Sequence, residues 1–257
     1  MKKIHFIFDK TNKRAQVLKK KILKKYRNHP PTKSDFIVVG GGDGFMLHVL
    51  KLYTKFNKPF YGINCGTYGF LLNKFVSKDI ERKIQKSKKI IINPLQLITI
   101  DKKNKKKKLM AINEVSLFRQ SRQTTSLQLQ VGKKVIIKKL IGDGILISTP
   151  AGSTAYNLSV HGPILSLHSG KLAITPISPF RPRRWKGKII SNSALVFVKN
   201  LDPSKRPLAA VADNIEVRNI KSLKIKTNKD IKIKLLYDKN RSLVKRIKVE
   251  QARRNTN

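Results

Sequence analysis

Five residues, Gly40-Gly41-Gly42-Asp43-Gly44, constrain this chain more than any other segment. They follow the apolar run Phe36-Ile37-Val38-Val39 and precede Phe45 to Tyr53, where apolar positions return at helical spacing. A buried strand that runs into glycines and then a helix is the connection of a parallel α/β sheet. At the carboxyl end of such a strand, residues without side chains let a ligand approach the backbone, and the helix N-terminus offers unpaired N–H groups to phosphate. The one acid in the loop, Asp43, has two readings. It can serve phosphoryl transfer as a general base or metal contact, or it can simply cap the helix. Neither Gly-x-Gly-x-x-Gly nor the Walker pattern is present.

The surrounding pattern extends the α/β reading over residues 1–90. Ile4 to Phe8 reads as a short buried strand, and Ala15, Leu18, Ile22 and Leu23 then fall at helical spacing until His29-Pro30-Pro31. Pro59 to Ile63 gives a third strand, and a helix follows from Ser77 with Asp79 and Glu81 at its positive end. This predicts a parallel sheet with flanking helices.

From about Ile90 the texture changes to short β-branched segments between polar turns. Strands are expected at Leu95–Ile100, Met110–Leu117, Leu127–Val131, Val135–Leu140 and Ile145–Ser148. Others are expected at Ala194–Val198, Leu208–Val211, Leu223–Ile225 and Ile231–Leu235, with Asp213-Asn214 as a hairpin turn. The prediction is a β-rich, sandwich-like domain over 91–236 and a C-terminal segment over 237–257, in which Ser242 to Arg253 reads as a helix.

Charge bears on partners. With 57 Lys+Arg against 14 Asp+Glu, the net charge is +43 over 257 residues. A polyanion binder gathers Arg, Lys and aromatics on one face, whereas here Lys outnumbers Arg and recurs along the whole chain, which reads as compositional drift rather than a specific nucleic-acid partner. The run Asp101 to Lys108 reads as a solvated hairpin loop, because a block of like charge cannot pack against itself. The single cysteine, Cys65, permits no internal disulfide and points to a reducing, cytoplasmic setting. No apolar run approaches the roughly 20 residues of a membrane span, and no membrane partner is expected.

The glycine loop resembles that of the superfamily containing NAD kinases, diacylglycerol-type lipid kinases and phosphofructokinases. A second segment chooses among them. Gly142-Asp143-Gly144-Ile145-Leu146-Ile147-Ser148-Thr149-Pro150-Ala151-Gly152-Ser153-Thr154-Ala155-Tyr156-Asn157-Leu158-Ser159, continuing to Gly162-Pro163-Ile164, closely resembles the NAD kinase signature. Asn113-Glu114 is similar to the Asn-Glu or Asn-Asp pair of that family. Gly66-Thr67-Tyr68-Gly69-Phe70-Leu71 resembles its Gly-x-x-Gly-Phe-Leu turn, and Leu172 to Ile177 its Thr-Pro-Ile strand. The likeness spans residues from about 4 to 236 in the family's order.

The resemblance implies transfer of the γ-phosphoryl group of ATP to the 2′-hydroxyl of the adenosine ribose of NAD, giving NADP. Asp43 would accept the proton, and Gly41, Gly42 and Gly44 would form the ATP phosphate loop. Asp43, Gly44, Asn113, Glu114, Asp143, Ala151, Thr154, Ala155, Tyr156, Asn157, Leu158 and Ser159 would hold NAD. It further implies a divalent metal, most often Mg2+, and a homo-oligomer, dimer or tetramer. No metal ligands are assigned, since no cluster of carboxylates marks a protein cage.

The residues suit these roles on their own chemistry. Asn113 and Glu114 offer donors and strong acceptors for ribose hydroxyls and an adenine amino group, although two polar residues at a strand end need no ligand. Ser153 or Thr154 could cap a short helix over Thr154 to Val160. Tyr68, Phe180 and Asn214 depart from residues common in the family, and Arg181 to Lys186 has no assigned role. The rival readings are a lipid or other small-alcohol kinase and a basic nucleic-acid-binding protein.

Overall fold

The computed structural model describes residues 2–67 and 69–239, so Tyr68 and the helix expected over Ser242 to Arg253 lie outside the described residues. The chain divides into two units. Among the described residues, one comprises those from Lys2 to Ile92 together with Ile231 to Lys239, the other Asn93–Asp230.

In the first unit the strands Ile4–Phe8, Phe36–Gly41 and Phe60–Asn64 pair side by side in parallel. The helix Lys13–Leu23 begins at Asn12, whose side-chain oxygen accepts the Ala15 N–H at 3.0 Å. It buries Ala15, Leu18 and Ile22 against Ile4, Phe6 and Phe8, while Leu23 stays outside. The third helix, Ile80–Lys86, starts later than Ser77. Asp79 precedes it in a left-handed conformation (φ 54°) and makes no side-chain cap, whereas Glu81 sits in the first turn as expected.

One strand changes domain. The segment expected at Ile231–Leu235 within the β-rich half is Ile233–Tyr237, and it enters the first sheet. It pairs in parallel with Phe60–Asn64 and antiparallel with Lys88–Ile92, a strand that the sequence pattern did not show. Its burial is nearly continuous, as an interior strand covered on both faces requires.

The second unit holds two six-stranded antiparallel sheets. One runs, in spatial order, Lys188–Ser191, Lys171–Ile177, Gly144–Ser148, Glu114–Arg119, Leu208–Ala212, Ile215–Val217. The other runs Lys106–Ala111, Leu95–Asp101, Ile220–Thr227, Val196–Asn200, Thr125–Val131, Lys134–Gly142. Val115, Leu117, Ile145 and Ile147 from the first share one core with Leu97, Leu129, Val198 and Leu223 from the second, which makes the unit a sandwich.

Two expectations here are corrected. Met110–Leu117 is not one strand: it breaks between Lys106–Ala111 and Glu114–Arg119, leaving Ile112 and Asn113 outside both. The lysine run is only partly loop, since Lys106, Lys107 and Lys108 pair with Ile100, Thr99 and Ile98. The turn is held by the Asp101 carboxylate, which accepts the N–H groups of Lys103 and Lys105 at 2.9 and 2.8 Å. Exposed lysines on this outermost strand discourage pairing with another chain.

Candidate active site

The first unit supplies the glycine loop. Gly42 is the N-cap of the helix Asp43–Tyr53, and Asp43 is its first residue. The Asp43 carboxylate faces the turn that resembles Gly-x-x-Gly-Phe-Leu: Phe70 N–H donates to Oδ2 at 2.6 Å and Leu71 N–H to Oδ1 at 3.0 Å. Two backbone amides therefore fix its orientation, and the simple cap reading is replaced by a tie between two loops.

The glycines differ in purpose. A Cβ on Gly41 would lie 2.7 Å from the Phe45 ring, so packing alone demands glycine there. A Cβ on Gly42 or Gly44 would meet nothing within 4 Å. Neither has positive φ, so the absence of side chains at these two positions leaves room beside Asp43 rather than relieving backbone strain.

The second unit gathers the other candidates around the break at Ile112-Asn113. The Asp213 carboxylate accepts the N–H groups of Ile112 and Asn113, each at 2.8 Å, and that of Glu114 at 3.3 Å. From the other side, the Asn113 carbonyl accepts the Thr149 N–H at 2.9 Å, and the Thr149 hydroxyl donates to the Ile112 carbonyl at 2.8 Å. Gly152 sits so close that a Cβ would lie 2.3 Å from the Asn113 oxygen.

Three polar atoms here are buried without a hydrogen-bond partner: Asn113 Oδ1, Glu114 Oε2 and Thr154 Oγ1. Each such group costs about 1–3 kcal/mol, a cost that a bound ligand removes. Burial, followed by the charge of Asp213, pushes the Glu114 carboxyl up to about 8. The Tyr156 hydroxyl is also raised, first by burial and then by Asp143 and Glu114. Tyr156 packs against Phe118 with ring centroids 5.7 Å apart.

Asp143 is paired with Arg119 through Nε at 2.5 Å, and Arg119 also donates to the Ser121 carbonyl. Ala151 is buried, Ala155 and Leu158 are half-buried, and Ser159 is exposed. Asn157 differs from its neighbours. It is fully buried, its amide nitrogen donates to the carbonyls of Ser153 and Pro163, and its oxygen accepts the Thr175 hydroxyl at 2.7 Å. These bonds brace the turn from within. Nor do Ser153 or Thr154 cap the following helix: it spans only Tyr156–Ser159 after Ala155, and the Ser153 hydroxyl turns back to the Pro150 carbonyl at 2.8 Å.

Sequence reasoning missed two contributors. Asp213 was read as a turn residue only, and Arg119 had no role. Cys65, by contrast, is buried at 1% exposure and its thiol is pushed up to about 11 by burial, which suits a core residue and not a nucleophile.

The chain matches the ATP-NAD kinase N-terminal domain over residues 3–89 and the ATP-NAD kinase C-terminal domain over 112–229. The chain belongs to the ATP-NAD kinase family. Relatives named NAD kinase include those of Zymomonas mobilis, 43% identical over 93% of this chain and 94% of the relative, and Rickettsia bellii, 42% identical over 98% of each. The fold is shared with yeast NADH kinase complexed with NADH (TM-score 0.81, 19% identity, 98% of this chain and 87% of that one). It is shared too with an Archaeoglobus fulgidus NAD kinase in complex with ATP (TM-score 0.72, 21% identity, 96% and 98%). Family membership carries ATP-dependent phosphorylation of NAD, and neither the lipid-kinase nor the nucleic-acid reading is favoured. Among the described residues no helix is long and apolar enough to cross a membrane.

Proposed function

We propose that Asp43 is the proton acceptor of this NAD phosphorylation. The observation that carries the proposal is the pinning of its carboxylate by the Phe70 and Leu71 amides at a helix start flanked by the open positions Gly42 and Gly44. As the 2′-hydroxyl of the adenosine ribose attacks the γ-phosphorus of ATP, its proton passes to Asp43 and ADP departs. Gly41, Gly42 and Gly44 form the phosphate-facing loop, where catalysis rests on positioning and charge neutralisation.

Asn113, Glu114 and Thr154 hold the dinucleotide through the oxygens that lack protein partners. Asp143, Ala151, Ala155, Tyr156, Leu158 and Ser159 complete that surface, and Asn157 supports it from beneath. Among the described residues no three His, Cys, Asp or Glu side chains converge. Mg2+ would be carried by the ATP phosphates and water, where it would neutralise phosphate charge. The working form is a homo-oligomer, which light scattering tests directly, and its setting is the cytoplasm.

NADP formation from NAD, ATP and Mg2+ by purified protein is the test of this assignment. Asp43→Asn should lower turnover by about two to four orders of magnitude, and near-normal turnover would remove Asp43 from that role.

A further inference from the structure

The break between strands at Ile112-Asn113 is held from a distant hairpin. Asp213 occupies the turn between Leu208–Ala212 and Ile215–Val217 with φ 54°, a left-handed conformation that aspartate tolerates. Its carboxylate takes the three successive N–H groups of Ile112, Asn113 and Glu114, while its own N–H donates to the Glu114 carbonyl at 3.1 Å. With Thr149 and Gly152 closing on the Asn113 carbonyl, this dipeptide is fixed on both sides. The side chains of Asn113 and Glu114 nonetheless carry oxygens without partners, Oδ1 and Oε2, in residues each only 8% exposed.

We propose that Asp213 is a positioning residue for NAD: by drawing Ile112 and Asn113 out of the strand ladder, it fixes the backbone that presents Asn113 Oδ1 and Glu114 Oε2 to the adenosine half. The proposal rests on the assignment of Asn113 and Glu114 to NAD. A residue that served only the hairpin would influence stability and nothing else. A positioning residue alters NAD affinity selectively and, through its charge, the protonation of Glu114. Besides Asp213, the groups around Glu114 are Tyr156 on the short helix and, beside Tyr156, Asp143 with its partner Arg119. All of these are unchanged when Asp213 is replaced.

The experiment compares full-length wild type, Asp213→Asn and Asp213→Ala for KM of NAD, KM of ATP and the pH dependence of each. Losing charged acceptor bonds to a ligand-presenting backbone should raise KM for NAD about tenfold in the alanine variant, with KM for ATP little changed. Asp213→Asn retains one acceptor oxygen, should show the smaller effect, and should move the pH dependence of KM for NAD towards acid as the Asp213 charge disappears. If the alanine variant does not fold, the shift in the asparagine variant decides the matter. Unchanged KM and pH dependence in folded variants would overturn the proposal, as would equal effects on both substrates. Glu114→Gln separates the two levels: if it leaves KM for NAD unaltered, the assignment of Glu114 has failed and the role of Asp213 falls with it.

Discussion

Replacing Glu114 by Gln should make the protein more stable in mild alkali. The carboxyl is 8% exposed, one of its oxygens has no partner, and burial with the Asp213 charge raises it from 4.5 to about 8. Between those values the unfolded chain has released this proton and the folded chain retains it. The contribution of this carboxyl to stability is therefore full below pH 4.5 and is lost as pH rises through about 8. At about 1.4 kcal/mol per pH unit across that interval, the loss is on the order of 2–5 kcal/mol. Glutamine keeps the shape and does not titrate. Urea unfolding at acid and alkaline pH should find the two proteins similar near pH 5 and the glutamine variant more stable near pH 9 by about 2–5 kcal/mol. Equal pH dependence in wild type and variant would refute the reasoning.

Three further outcomes follow from the geometry. Gly42→Ala should leave thermal stability nearly unchanged while reducing turnover, because the new methyl enters open space beside Asp43 rather than the core; an active variant would show that ligands do not use that space. Gly152→Ala should do the opposite first, destabilising the fold by about 1–3 kcal/mol, since its Cβ would collide with the Asn113 carbonyl 2.3 Å away; calorimetry checks this. Asn157→Ala removes two bonds inside the 153–163 turn and a third to Thr175 on the strand Lys171–Ile177, and should cost about 2–4 kcal/mol, with NAD affinity lost through the turn, and unchanged stability would contradict its bracing role.

Local signals served well where a feature is made by neighbours in sequence. The strand-glycine-helix connection at Phe36–Tyr53, the α/β alternation before it and the regular short strands after Ile90 announced both architectures. In the run from Gly142 to Ser159 small residues are needed together: Gly152 lets the turn close on Asn113. Partners from far along the chain were invisible. Asp213 lies 100 residues from Asn113, so nothing around either position foretells the strand break. Ile233–Tyr237 reads the same whether it joins a sandwich or a parallel sheet, and only its pairing partners decide. Lys106–Lys108 were read as loop from their charge, but an edge strand can expose every one of them. Asn157 stands within the motif and its bonds run to Ser153, Pro163 and Thr175, partners that residue identity alone does not name.

The most direct measurement is NADP formation by wild type and Asp43→Asn under saturating NAD, ATP and Mg2+, with the melting temperature of each. Because asparagine leaves only one oxygen to accept the Phe70 and Leu71 amides, the variant should lose about 1–2 kcal/mol of stability yet remain folded. Wild type should form NADP, and the folded variant should be slower by about two to four orders of magnitude. A folded Asp43→Asn protein with undiminished turnover, or a wild type that forms no NADP, would contradict the account.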